Sequence, residues 1–215
     1  MKKISIVIIV IAVLLLISGV IYTGIFSNGK ASKNNKINYI EKRNYSVVQQ
    51  ASPNSFTSVI NPNNFVDIAR QIGLDSTGCE AVKDDVNSQF CSAFHSGYQD
   101  SKYSDTIAAS YKNSMLDQFS MVLYFNADDF NSNKVIDVSN KLLNNFFGTS
   151  IDVNNVSNVM KLLEKNMDDK EPVATKEFIV GDFTEQINMQ YVKDTQIYVV
   201  RYFLILTSEY KVNLK

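Results

Sequence analysis

The chain has 215 residues with a formal net charge of −1; 45% of them are hydrophobic and 20% charged. That balance excludes a disordered polyelectrolyte and gives no basic domain for nucleic acid. A single histidine and two cysteines leave little material for metal or nucleophilic chemistry.

Chain order begins with Met1-Lys2-Lys3, a short basic tail. Residues 4–26 follow without a charge, a proline or a side-chain amide. At about 1.5 Å rise per residue they span roughly 35 Å as a helix, enough to cross a hydrocarbon core of about 30 Å. The run is too long for a signal-peptide core and ends at Tyr22 to Phe26 rather than at a small-x-small site. An uncleaved transmembrane anchor in the lipid bilayer is the expectation. Lys2 and Lys3 favour a cytoplasmic N-terminus. Lys30, Lys33, Lys36, Lys42 and Arg43 pull the other way, but long domains translocate largely regardless of charge. The remainder is therefore expected outside, in the cell envelope. Frequent Asn, Lys used over Arg and the absence of Trp fit an AT-rich bacterial coding sequence.

Residues 27–58 are polar and basic and read as a linker, in which Tyr39-Ile40 and Tyr45 to Val48 have the pattern to dock as a short strand. From residue 51 onward the chain carries 14 basic and 21 acidic side chains, a net of −7. Residues 59–215 are expected to form the extracytoplasmic domain. Asn61-Pro62 opens a helix with Phe65, Ile68, Ala69 and Ile72 on one face, and Gly73 stops it. Residues 79–98 are ambiguous. Val82, Val86, Phe90, Phe94 and Tyr98 recur every four residues, as in a helix, while Phe90, Ser92, Phe94, Ser96 and Tyr98 alternate, as in a strand.

Residues 105–111 and 117–126 read as a β-hairpin. Residues 133–147 and the segment after Asp152 read as an antiparallel αα-hairpin, with Gly148 ending the first helix and Asp152 capping the second. Glu171-Pro172 ends that unit. Strands are expected at 176–183, 186–192 and 196–206, the last apolar on both faces except at Arg201. The class is α+β: a mainly antiparallel sheet with the αα-hairpin packed on one face. The halves 59–127 and 128–215 both run helix first and strands after, which admits two similar halves.

Cys79 and Cys91 are a candidate disulfide. One continuous helix would hold their Cα atoms about 18 Å apart, whereas a disulfide needs less than about 7 Å. A disulfide therefore requires a broken helix there, with a strand near residues 90–98. His95 lies four residues after Cys91, the spacing of a metal pair or a Cys–His couple, but no further ligand or nucleophile elbow accompanies it. Asp129, Asn131, Asn133 and Asp137 have the spacing of a weak calcium loop. Lys134 stands where that loop needs glycine, and Asn140 where it needs a bidentate acid. The pairs Asp84-Asp85, Asp128-Asp129 and Asp168-Asp169 are not held across a cleft by anything in the sequence.

No cofactor and no catalytic residue is assigned. The arrangement of short tail, single span, linker and α+β domain is similar in architecture to assembly subunits of secretion and conjugation systems, without a shared motif. The expectation is a non-catalytic envelope protein that binds a protein partner, with strand tyrosines Tyr191, Tyr198 and Tyr202 as contact candidates. The alternatives are a surface inhibitor, immunity or exclusion factor and, behind these, a cell-envelope hydrolase.

Overall fold

The computed structural model describes residues 45, 62–83, 85–95, 103–148, 150–181 and 183–206. The anchor expected at residues 4–26 and nearly all of the linker lie outside the described residues. Among the described residues no helix is long and apolar enough to cross a membrane.

Helix α1 (Pro62–Gln71) is followed by strands β1 (Asp75–Val82), β2 (Asp85–Phe94), β3 (Thr106–Lys112) and β4 (Met115–Asn126). Helices α2 (Ser132–Phe147) and α3 (Val153–Lys165) come next, then β5 (Val173–Val180), β6 (Phe183–Val192) and β7 (Ile197–Leu206). All seven described strands join one sheet in the order β1-β2-β3-β4-β7-β6-β5, and every neighbouring pair is antiparallel. The fold is thus α+β. Two meanders meet along β4 and β7, so the last of the described strands closes the centre of the sheet.

Local chemistry explains the elements that were readable. Asn131 caps α2 by accepting from the Lys134 N–H at 2.9 Å, and Gly148 ends it in the left-handed region (φ 62°) with its N–H on the Asn144 carbonyl. That backbone conformation costs glycine nothing. Asp152 caps α3 through the Asn154 N–H at 2.7 Å. Asn140 on α2 accepts from the Ile151 N–H at 2.8 Å and so fixes the corner between the two helices. The β3–β4 turn places Asn113 and Ser114 both at positive φ (52° and 62°), the tight geometry that matches strand twist.

One ambiguity is resolved and one expectation corrected. Residues 79–82 lie on β1 and residues 85–94 on β2, the strand reading that the disulfide required. The four-residue recurrence of Val82, Val86, Phe90 and Phe94 is also a period of two. Alternation with buried Cys91 and Ala93 settles the strand, while Tyr98 lies outside the described residues. The strand expected at 176–183 runs instead from Val173 to Val180. Gly181 (φ 61°) turns the chain there, and Phe183 opens β6.

The helices share one face of the sheet. Phe146 of α2 meets Phe65 of α1 at 5.3 Å and Phe119 of β4 at 5.6 Å, and Phe119 also takes the edge of Phe147 at 4.7 Å. Alternate residues Phe119, Met121, Leu123 and Phe125 of β4 and Val200, Tyr202 and Leu204 of β7 lie in this core. Tyr45, from the expected linker, is buried in it as well. Tyr111 on β3 is buried, with no hydrogen-bond partner for its hydroxyl among the described residues, and burial pushes that hydroxyl's pKa upward. An unsatisfied buried hydroxyl carries its full desolvation cost. Tyr111→Phe should therefore raise the unfolding free energy by about 1 kcal/mol. A lower urea midpoint for the variant would refute it.

The two sheet edges are protected differently. β1 carries register shifts at Ser76/Gly78 and Ala81/Val82, which break its outer row of backbone groups. β5 pairs with β6 in unbroken register but presents exposed Lys176 and Glu177 at its middle. A second copy of β5 paired symmetrically about either residue would oppose like charges, which is the usual guard against edge-to-edge association.

Candidate interaction face

The opposite parity of the same strands makes a second sheet face. Its centre is apolar: Val122 and Tyr124 of β4 pack with Ile197 and Val199 of β7. Its β5–β6 flank is polar, because Gln186, Asn188 and Gln190 alternate along β6. Across that flank the register gives the row Val122–Arg201–Asn188–Thr175. Arg201 therefore stands where the apolar centre meets the amide flank.

The guanidinium is held by neutral groups. It donates to Asn188 Oδ1 at 2.8 Å and to Gln190 Oε1 at 3.0 Å. Asn188 is itself oriented, since its Nδ2 donates to Thr175 Oγ1 at 2.6 Å. The carboxylate on this flank, Glu177, accepts from Gln186 Nε2 at 2.8 Å and lies one row along and two strands across from Arg201. Among the described residues no acidic side chain pairs with Arg201. Burial lowers its pKa from the usual arginine value, with the nearby Tyr124 hydroxyl pulling the other way. An arginine nonetheless keeps its charge at neutral pH. Tyr124 is pushed up to about 12, chiefly by burial.

On the helix face, Glu185 of β6 is only 3% exposed. It accepts from Asn155 Nδ2 of α3 at 2.7 Å and from the hydroxyl of Tyr202. Burial raises its pKa, the two hydrogen bonds oppose the rise, and Asp152 adds to it. Because the folded-state pKa lies above the unfolded one, this group's contribution is fully present below the ordinary glutamate range. It is lost as pH rises through the folded pKa. Glu185→Gln should accordingly remove a component of stability that grows on acidification from neutral pH. Melting curves from pH 7.5 to 5 test this: parallel pH profiles for the two proteins would refute it.

The sequence candidates are placed as follows. Cys79 and Cys91 sit directly opposite each other on β1 and β2 and are disulfide-bonded, with Cα atoms 4.1 Å apart. Cys91 is thus bound to Cys79 and offers no thiolate beside His95. His95 lies just beyond β2 with its ring edge-on to Tyr45 at 6.0 Å, and its N–H donates to the Asp105 carbonyl at 3.0 Å. Asp105 is fully buried; its carboxylate accepts from Tyr45 Oη at 2.6 Å and from the Tyr124 N–H at 3.1 Å. This cluster ties the linker residue to the end of the sheet.

The calcium-loop residues are spread over a 3-10 turn and the start of α2. Asn131 serves as the cap, Lys134 Nζ stands 3.7 Å from Asp129 Oδ1, and Lys141 pairs with Asp137 at 3.0 Å. Among the described residues no group of three or more His, Cys, Asp or Glu side chains could hold a metal ion. Of the acidic pairs, Asp84 lies outside the described residues. Asp85 is engaged locally by the Asn87 N–H and Ser88 Oγ.

The three strand tyrosines separate. Tyr202 is core. Tyr191 and Tyr198 pack on each other at 4.6 Å, and Phe130 stacks on Tyr198 at 3.8 Å, so their ring faces are largely spent within the molecule. Sequence reasoning did not assign Glu185 or Arg201 a role. The alternating amides Gln186, Asn188 and Gln190 were the available signal for a polar strand face. The chain matches no protein-family model, no curated protein and no solved structure.

Proposed function

We propose that this chain is a membrane-anchored, extracytoplasmic, non-catalytic protein that binds another component of the cell envelope. The uncharged run at residues 4–26 supports the anchor, and the acidic balance of the domain speaks against a nucleic-acid partner. The observation that carries the binding role is the second sheet face. Its apolar centre is buried within the chain, but no described helix packs on its β5–β6 flank, which leaves an ordered row of amides beside a partly exposed guanidinium, the kind of polar surface that the rim of a protein interface uses.

Photo-crosslinking in intact cells tests this reading. Gln186→p-benzoylphenylalanine, on the second face, should capture an envelope protein. The same substitution at Lys161, on the exposed side of α3, should not. Equal capture from both positions, or none from either, would remove the assignment. Lys176→Cys on exposed β5 should react with a membrane-impermeant maleimide before lysis. Reaction only after lysis would place the domain in the cytoplasm.

A further inference from the structure

The free edge of the sheet carries a more specific inference, which rests on the binding role just given. We infer that β5 is the docking strand: an extended segment of the protein partner adds to its outer edge as a further strand, with an Asp or Glu opposite Lys176. The backbone fixes which groups are on offer. The Tyr191 N–H donates to the Pro172 carbonyl at 3.0 Å, which makes those two a hydrogen-bonded pair, and such pairs alternate along an antiparallel ladder. With the register of β5 on β6 unbroken, Ala174, Lys176, Phe178 and Val180 turn their backbone groups toward β6. Val173, Thr175, Glu177 and Ile179 turn theirs outward.

The outer row is capped at its start and open beyond it. The Val173 carbonyl accepts from Asn166 Nδ2, at the C-cap of α3, at 2.7 Å. Among the described residues nothing bonds the outward N–H and C=O groups of Thr175 and Ile179, and the Ile179 side chain is 70% exposed. Donors and acceptors at strand spacing are matched by another extended backbone, not by a small ligand. The opposite edge of the sheet offers no such row, because β1 is broken by two register shifts. Charge then selects the occupant. Lys176 is exposed and forms no ion pair among the described residues. A second copy centred on it is repelled, and a segment with an acid at that place is attracted. The guard against self-association thus doubles as a filter for a partner.

The test uses the full chain in its membrane, with the crosslinker at Gln186, which lies opposite Glu177. Ile179→Pro removes an outward N–H and no bond to β6. It should lower capture at least about ten-fold. Ile179→Thr, which keeps the N–H, should stay within about two-fold of the wild type. Lys176→Glu should also lower capture, by setting like charges opposite each other. The captured peptide, mapped by mass spectrometry, should hold an Asp or Glu whose change to Lys restores capture by Lys176→Glu. Equal unfolding midpoints for Ile179→Pro and the wild type separate lost docking from lost folding; if Ile179→Pro is destabilised, the charge exchange decides.

Capture that is indifferent to Ile179→Pro, or that the charge exchange does not restore, overturns the docking strand and leaves partner binding standing. Absence of capture removes both. A crosslink between two copies of this chain, or from Gln186 to another segment of the same chain, would assign the edge to that occupant instead and overturn the inference.

Discussion

Phe146→Ala should destabilise the domain by about 3–5 kcal/mol, the usual range for emptying a fully buried phenylalanine site. The position is costly because three elements meet there. Its ring lies against Phe65 of α1 and Phe119 of β4, while its own backbone belongs to α2. Neighbouring rings are large and flat and cannot collapse into the space as aliphatic side chains do. Phe94→Ala is the natural comparison: that ring, on β2, is already 37% exposed and should cost less than about 1 kcal/mol. Urea unfolding of both variants measures the difference. Equal midpoints would show that the aromatic junction is not where the helices and the sheet are fastened.

Loss of the Cys79–Cys91 bond should be the second largest effect, about 2–4 kcal/mol for the double Cys→Ser variant. The bond closes a loop with a sequence separation of 12, so in the chain-entropy view it removes freedom from the unfolded chain. Its position adds a local consequence. β1 is an edge strand interrupted by two register shifts, and Cys79 Sγ lies 3.3 Å from the Pro62 carbonyl at the start of α1. Reduction should therefore loosen β1 and α1 before the centre of the sheet. Hydrogen exchange with and without reductant reads this directly, with protection lost in residues 75–82 while β4 and β7 stay protected. Identical exchange in both conditions would show that the bond constrains nothing.

The parts of the fold that were readable in the sequence are those fixed by neighbours in the chain. Gly148 and Asp152 bracket the αα-hairpin by capping, and the alternation of Phe119, Met121, Leu123 and Phe125 marks β4 without reference to anything distant. The β1–β2 pair was not resolved, because a recurrence of four satisfies both helical and strand periods when the intervening residues are small or polar. The disulfide candidates carried the information that could break the tie, since their spacing is incompatible with one helix. Strand order was not legible at all. Nothing near Ile197 announces that it lies opposite Asn126.

The face around Arg201 was half legible. Arg201 stands out within an apolar run, and the amides of β6 alternate. The contact between them, however, exists only once β6 and β7 are side by side. Glu185 gave no signal, because its neighbours Thr184 and Gln186 make it look like one polar residue among several. Its burial is created by α3 lying over it.

The seam between β4 and β7 also sets the order in which the molecule can be completed. All seven residues from Phe119 to Phe125 are buried, and the strand that covers one edge of them is the last of the described strands. Until residues 197–206 are in place, β4 offers a bare hydrogen-bonding edge with apolar side chains on both faces, the kind of surface that recruits other chains. A chain cut short before β7 loses more than one strand. It leaves the first meander without its seam partner and strands β5 and β6 without a sheet to join. Loss of residues 197–206 is therefore a lesion that this sheet tolerates poorly.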